Sequence, residues 1–225
     1  MGQDEIYITA DGSHSIQSGK YGVGYHSKHG AIDEAYHVFI DAALRFKAVV
    51  QKDIRILEIG FGTGLNAFVT YLEAEKRNLN ISYTAIEAFP ITIEQAKTLN
   101  YPSLLNPAQQ AFFLDLHEAE WDKSTQIHEQ FNIEKRMIKF EAVDFENQFD
   151  IIYFDAFAPD AQPELWSEEI MRKMYRALKA DGIMTTYCAK GIVKRTMKAV
   201  GFTVEALPGP PHKREMTRAL KEAAP

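Results

Sequence analysis

From residue 54 onward, short apolar runs alternate with longer segments in which apolar residues recur at helical spacing. Ile54–Ile59, Ile81–Ile86, Phe131–Met137, Phe149–Phe154, Ile183–Cys188, Phe202–Leu207 and about Glu215–Leu220 read as seven strands. Helices are expected between them over Leu65–Lys76, over Ile91–Leu99 behind Pro90, from the cap residue Ser167 to about Lys179, and near Ile192–Val200. Asp181-Gly182 reads as the turn into the fifth strand. Strand and helix in alternation predict an α/β fold with a doubly wound, mostly parallel seven-stranded sheet. The first 30 residues differ, with Gly12, Gly19, Gly22, Gly24 and Gly30 among short alternating runs, and a helix is expected around Ala31–Val49. Residues 1–50 are therefore expected to form an extension, hairpin then helix, packed on a domain spanning 51–225.

Composition narrows the class. Of the 225 residues, 46% are hydrophobic and 25% charged, as in a soluble globular protein able to bury a core without staples. The single cysteine, Cys188, excludes an internal disulfide and a cysteine-rich metal site, and the histidines show no metal-ligand spacing. No metal is expected. The first residues are polar and acidic, and no apolar run approaches the ~20 residues of a membrane helix, so a cytoplasmic protein is expected. The net charge is −6, yet eight basic residues face two acidic ones between Lys190 and Lys221. Such a section fits either a local contact with a polyanion or a solvated helix face and tail.

The segment Glu58-Ile59-Gly60-Phe61-Gly62-Thr63-Gly64 follows a buried strand and opens a helix, where an open α/β sheet binds a nucleotide. Its spacing is G-x-G-x-G, and Leu65 stands where a dinucleotide fingerprint needs a small residue, which disfavours NAD. Glu87 ends the next strand, 23 residues after Gly64, where a carboxylate can accept from both hydroxyls of a ribose. This layout resembles the class I S-adenosylmethionine-dependent methyltransferases, in which the glycine loop passes under the cofactor and the acid holds its ribose.

The fourth strand runs into Asp155-Ala156-Phe157-Ala158-Pro159 at its carboxyl end, beside the expected cofactor. An alkylamine is protonated at neutral pH and has no lone pair until it loses a proton. A carboxylate can hold the ammonium, orient the nitrogen and take that proton. Asp155 is the catalytic candidate on this reading, with Phe157 and Pro159 as pocket walls.

Four segments in this order, Tyr25–Ile40, Glu58–Asn66, Asp155–Trp166 and Leu207–Ala219, resemble the methyltransferase domain of the MnmC tRNA-modifying family, including its stand-alone MnmD-like members. The resemblance covers nearly the whole chain and is poorest around 101–130. It implies methyl transfer from S-adenosylmethionine to the exocyclic amine of 5-aminomethyl-(2-thio)uridine at the tRNA wobble position. It implies Asp155 as the catalytic carboxylate and Glu58, Gly60, Gly62, Gly64, Asn66 and Glu87 at the cofactor. Tyr25, Ser27 and Glu34 would form the N-terminal wall, and Lys213 and Arg214 would lie near substrate phosphates or the rim. The chain carries no flavin half, so a separate enzyme is expected to supply the aminomethyl nucleoside. Lys139 stands where such enzymes often place an acid against the adenine, and Asp144 is the expected substitute. Two other readings stand beside this one: a methyltransferase for a small amine or another RNA, and a module that only senses the cofactor.

Overall fold

The structure, a computed structural model, describes residues 4–223 of the chain. It opens on a hairpin, β1 (Glu5–Ile8) paired antiparallel with β2 (His14–Gln17). A helix over residues 31–47 follows, and its middle, Tyr36–Leu44, is wound wide. The strands β3 (Asp53–Ile59), β4 (Asn80–Ile86), β5 (Ser124–His128), β6 (Phe131–Arg136), β7 (Phe149–Phe154), β8 (Leu178–Thr186), β9 (Thr203–Pro208) and β10 (Glu215–Leu220) form one sheet. Their order is β5-β6-β4-β3-β7-β8-β10-β9. The five central strands run parallel, β5 pairs antiparallel with β6, and β10 pairs antiparallel with both β8 and β9.

The doubly wound architecture is as expected, with eight strands instead of seven. The added strand, β5, reads Ser-Thr-Gln-Ile-His, half-exposed at the sheet edge, where no apolar run marks it. A second difference lies at Asp181-Gly182. Strand β8 starts at Leu178 and runs through this pair, with Asp181 at φ 59° and a register shift against β7, so the expected turn is an irregularity inside the strand.

Alternate strand residues feed two cores, because successive side chains leave opposite faces of a strand. Ile54, Ile56, Tyr83, Ile151 and Tyr153 join the core under the helices 31–47, Leu65–Arg77 and Gln110–Glu118. Leu57, Ile59, Ile152 and Phe154 join the core under Glu168–Ala177 and Gly191–Ala199. Ser167 caps the first of those two helices, accepting from the Ile170 amide at 3.4 Å. Strand β3 is flanked by β4 and β7, so the chain leaves it first to one side and later to the other. A cleft opens at such a reversal, above the carboxyl ends of the strands. Among the described residues, no helix is long and apolar enough to cross a membrane.

Candidate active site

The cleft above β3, β4 and β7 is a cavity that takes residues from all three strand ends and from the N-terminal segment. Its floor is the loop after β3. Gly60 (φ 93°) lies against the end of β7: a Cβ there would meet the Asp155 carbonyl oxygen at 2.8 Å. Gly62 (φ 50°) lies under the Tyr25 ring, which a Cβ would meet at 3.0 Å. Only glycine accepts both the left-handed backbone and the close approach. The Glu87 carboxylate turns back onto this loop, accepting from the Gly62 amide at 3.0 Å and the Phe89 amide at 2.9 Å. Each oxygen keeps a lone pair directed elsewhere, as binding of a diol needs.

The opposite wall is the loop after β7. Asp155 continues the strand, its amide donating to the Ile59 carbonyl at 3.0 Å. Its carboxylate accepts from Asn66 Nδ2 at 2.9 Å, and the same nitrogen donates to Glu58 Oε1 at 3.0 Å. Asn66, at the start of the helix Leu65–Arg77, thus clamps two carboxyl groups together. Burial, followed by the nearby Glu34 charge, pushes the Asp155 carboxyl up to about 7, against the pull of Asn66 and Lys213. Glu58 is fully buried, which drives its pKa well above the ordinary range, and its Oε2 has no hydrogen-bond partner among the described residues.

Aromatic rings close the cavity. Phe157 sits 5.2 Å from Tyr21, tilted, and 5.2 Å from Tyr25, edge-on. Trp166 fixes this loop from behind, its indole nitrogen donating to the Phe157 carbonyl at 2.8 Å. Phe89 lines the mouth with Lys20, whose ammonium lies 3.2 Å from its ring centroid. The N-terminal segment is tied down by His26, whose Nε2 lies 3.5 Å from Thr63 Oγ1. Burial lowers the His26 pKa to about 4, so the ring is neutral.

Of the residues expected from the sequence, Tyr25, Gly60, Gly62, Asn66, Glu87, Asp155 and Phe157 line the cavity together. Glu58 lies beneath it, joined through Asn66. Gly64 (φ 73°) turns the loop into the helix, packed against His117. Ser27, Glu34, Pro159, Lys213 and Arg214 are outside the lining. The Ser27 amide donates to Glu34 Oε2 at 3.0 Å. Lys213, expected near substrate phosphates or the rim, points inward and pairs with the buried Glu34, whereas Arg214 is exposed. Asp144, expected at the adenine, is corrected to a surface residue: its side chain is 74% exposed and accepts from Arg176 at 2.6 Å. The short helix Phe140–Ala142 brings Lys139, Phe140 and Glu141 to the cavity in its place. Sequence reasoning missed Lys20, Tyr21 and Phe89, which lie in loops without periodicity.

Asn66→Ala removes the side chain that joins Asp155 to Glu58. A hydrogen bond to a charged group contributes ~1.5–3 kcal/mol. The expected result is therefore a drop in methyl transfer of roughly 10- to 100-fold with cofactor affinity little changed, read by single-turnover rates and calorimetry. An unaltered rate removes Asn66 from the site.

Residues 105–222 match the family model for S-adenosyl-L-methionine-dependent methyltransferases. The chain is 28% identical over 217 residues to the "tRNA 5-methylaminomethyl-2-thiouridine biosynthesis bifunctional protein MnmC" of Actinobacillus pleuropneumoniae serotype 5b, covering 85% of this chain and 31% of that protein. It is 30% identical over 210 residues to the protein of the same name from Marinomonas sp., covering 86% and 30%. The chain thus spans about a third of the length of the curated relatives it matches. Among solved structures, the fold is similar to MNMC2 from Aquifex aeolicus, with a TM-score of 0.81 at 23% identity over 100% of this chain and 72% of that one. A more distant likeness is spermidine synthase from Thermotoga maritima, with a TM-score of 0.56 at 15% identity over 97% and 71%. A glycine floor that no side chain can share, an acid at the end of the neighbouring strand and the match over more than half the chain agree: the chain belongs to the S-adenosyl-L-methionine-dependent methyltransferase family.

Proposed function

We propose that the chain methylates the exocyclic primary amine of 5-aminomethyl-(2-thio)uridine at the wobble position of tRNA, acting in the cytoplasm on a nucleoside supplied by a separate enzyme. The observation that carries this reading is Asp155, a single carboxylate at the cavity wall beside the glycine floor, aimed by Asn66. The name its relatives carry supports the substrate.

When bound, S-adenosylmethionine supplies a methyl group on a positively charged sulfur, open to attack by a nitrogen lone pair. Gly60 and Gly62 leave the floor free for it, and Glu87 would take its ribose hydroxyls. Asp155 accepts a hydrogen bond from the substrate ammonium and then its proton, which frees the lone pair on nitrogen. Asn66 fixes the carboxylate, and through it the direction in which the amine nitrogen is held. S-adenosylmethionine held over Gly60 and Gly62 by Glu87 would supply the methyl to that nitrogen and would keep the electron pair of its carbon–sulfur bond. A base with its pKa near the working pH suits this transfer. Tyr21, Tyr25 and Phe157 form apolar walls that keep water from the cation and offer faces for the pyrimidine.

The basic C-terminal section supports RNA less than its charge suggested. Lys190, Lys194, Lys213 and Arg218 pair with Asp160, Glu215, Glu34 and Glu205 within the chain. Arg195, Lys198 and Arg214, together with Lys20 and Lys139 at the cavity, are exposed cations that would meet phosphates.

The test uses labelled cofactor and tRNA from cells that lack this methylation. Label is expected in the wobble nucleoside, identified by mass spectrometry. Absence of label from tRNA, with label in a free amine, overturns the reading. Affinity for tRNA is expected to fall about tenfold or more between 50 and 200 mM salt if three or more phosphates are contacted. A flat salt response argues for a small substrate.

A further inference from the structure

The loop joining β9 to β10 is built to send one cation inward. Its Lys213 amide donates to the Pro210 carbonyl at 2.9 Å, and the Gly209 amide donates to the Arg214 carbonyl at 3.2 Å. His212 stands at φ 67° and stacks on His29 with ring centroids 4.2 Å apart. His37 Nε2 bonds the Pro208 carbonyl at 2.8 Å. Within this frame Lys213 reaches Glu34, 179 positions earlier in the chain, whose side chain is only 8% exposed. The Lys213 ammonium also lies 4.5 Å from the centroid of the Tyr187 ring. The Tyr187 hydroxyl donates at 2.9 Å to the carbonyl of Ala156, the residue after Asp155. One cation is therefore fixed between a buried carboxylate and the backbone that presents Asp155.

We propose that the Lys213–Glu34 ion pair is a positioning device that sets the charge state of Asp155, with Lys213 favouring the ionised form and Glu34 opposing it. The proposal rests on the reading of Asp155 as the group that takes the proton. Burial raises the Asp155 carboxyl to about 7, and the two partners act on it from there with opposite signs, Glu34 upward and Lys213 downward. The other charged or titratable groups around Asp155 and the pair are Glu58 beneath Asn66, Glu87 at the end of β4, Tyr83 on β4, Tyr187 and Cys188 at the end of β8, Tyr25 over the floor, and Lys20, Lys139, Glu141 and Glu164 in the cavity lining. His26 beside Glu34 is neutral through burial, while His29, which with Asp33 lines the same small pocket as Glu34, stacks on His212. Only Lys213 among these brings positive charge to Asp155.

The experiment is a carboxyl-carbon NMR titration of the full chain without cofactor, with the Asp155 signal assigned by its loss in Asp155→Asn. Lys213→Met is expected to move the Asp155 midpoint up by about one pH unit and Glu34→Gln to move it down by a similar amount. Lys213→Arg should restore the wild-type value. The acid limb of the methyl-transfer profile should shift in the same directions. Midpoints that stay in place, or that move together in one direction, overturn the proposal and leave the pair a clasp between the two ends of the chain. If Lys213→Met does not fold, Lys213→Gln decides in its place, because an opened clasp would hydrate Asp155 and lower its midpoint, whereas loss of the positive charge raises it. The titration is read without substrate. Opposite shifts with no methylated tRNA would therefore sink the substrate assignment while the pair stands.

Discussion

Asp155→Asn is expected to lower methyl transfer by about three orders of magnitude while leaving the cofactor dissociation constant within about threefold, since loss of a positioned base typically costs 10²–10⁴ in rate. The amide keeps the shape of the carboxylate and can still meet Asn66, but it cannot take a proton from an ammonium. Titration calorimetry with S-adenosylmethionine and single-turnover transfer separate the two quantities. A variant retaining a tenth or more of the wild-type rate ends the role assigned to Asp155.

The same variant carries a stability signature. The Asp155 carboxyl titrates at 3.8 when unperturbed and at about 7 in the folded chain. Between these values the unfolded chain has released a proton that the folded chain still holds, so stability falls as pH rises through that window and stays lowered above it. Asparagine has no such proton. Thermal melts of Asp155→Asn should therefore match the wild type near pH 4 and exceed it at pH 8. An enzyme that melts lower than its disabled variant at pH 8 is one whose functional group is held at a cost to the fold. Equal melting temperatures at pH 8 would show that Asp155 is ordinarily ionised in the cleft and that the pH dependence of transfer must come from elsewhere.

The fold was legible wherever burial wrote a pattern. β7 is buried along its whole length and β3 over its last four residues, β4 shows its covered face by alternation, and the glycine loop and Asp155 follow from where these patterns stop. β5 was not legible, because an edge strand half in water needs no such run. The inward path of Lys213 was invisible for a different reason. Its neighbours are Pro210, Pro211 and His212, and nothing local distinguishes a cation aimed at solvent from one aimed at an acid 179 positions away. Tyr21, in the segment after the N-terminal hairpin, and Phe89, in the loop after β4, became site residues only where those two segments meet over the carboxyl ends of the strands. Asp144 shows the converse. Proximity in sequence to the end of β6 suggested the cavity, but a single turn at Phe140–Ala142 carries the chain past it, and Asp144 meets Arg176 instead.

Gly60→Ala tests the floor itself, and its effect on cofactor binding should exceed that of any other single methyl group added to the loop. Two costs coincide there. Gly60 holds φ at 93°, which a residue with a Cβ resists, and the new carbon would stand 2.8 Å from a backbone oxygen that cannot rotate away. That oxygen belongs to Asp155, so any relief moves the end of β7 and the carboxylate with it. Gly12 separates the two costs: it holds φ at 83° with nothing within 4 Å of the place a Cβ would take, so Gly12→Ala carries the backbone strain alone. Strain of this kind is ~1–2 kcal/mol, and the overlap at Gly60 should bring the total to about 3 kcal/mol or more. For a chain of this size that lowers the melting temperature by about 10 °C, against about 4 °C for Gly12→Ala. Cofactor affinity should fall at least ~100-fold in Gly60→Ala, roughly 2.7 kcal/mol at the ligand, and stay unchanged in Gly12→Ala. If Gly60→Ala binds S-adenosylmethionine as tightly as the parent, the cofactor does not lie against this loop.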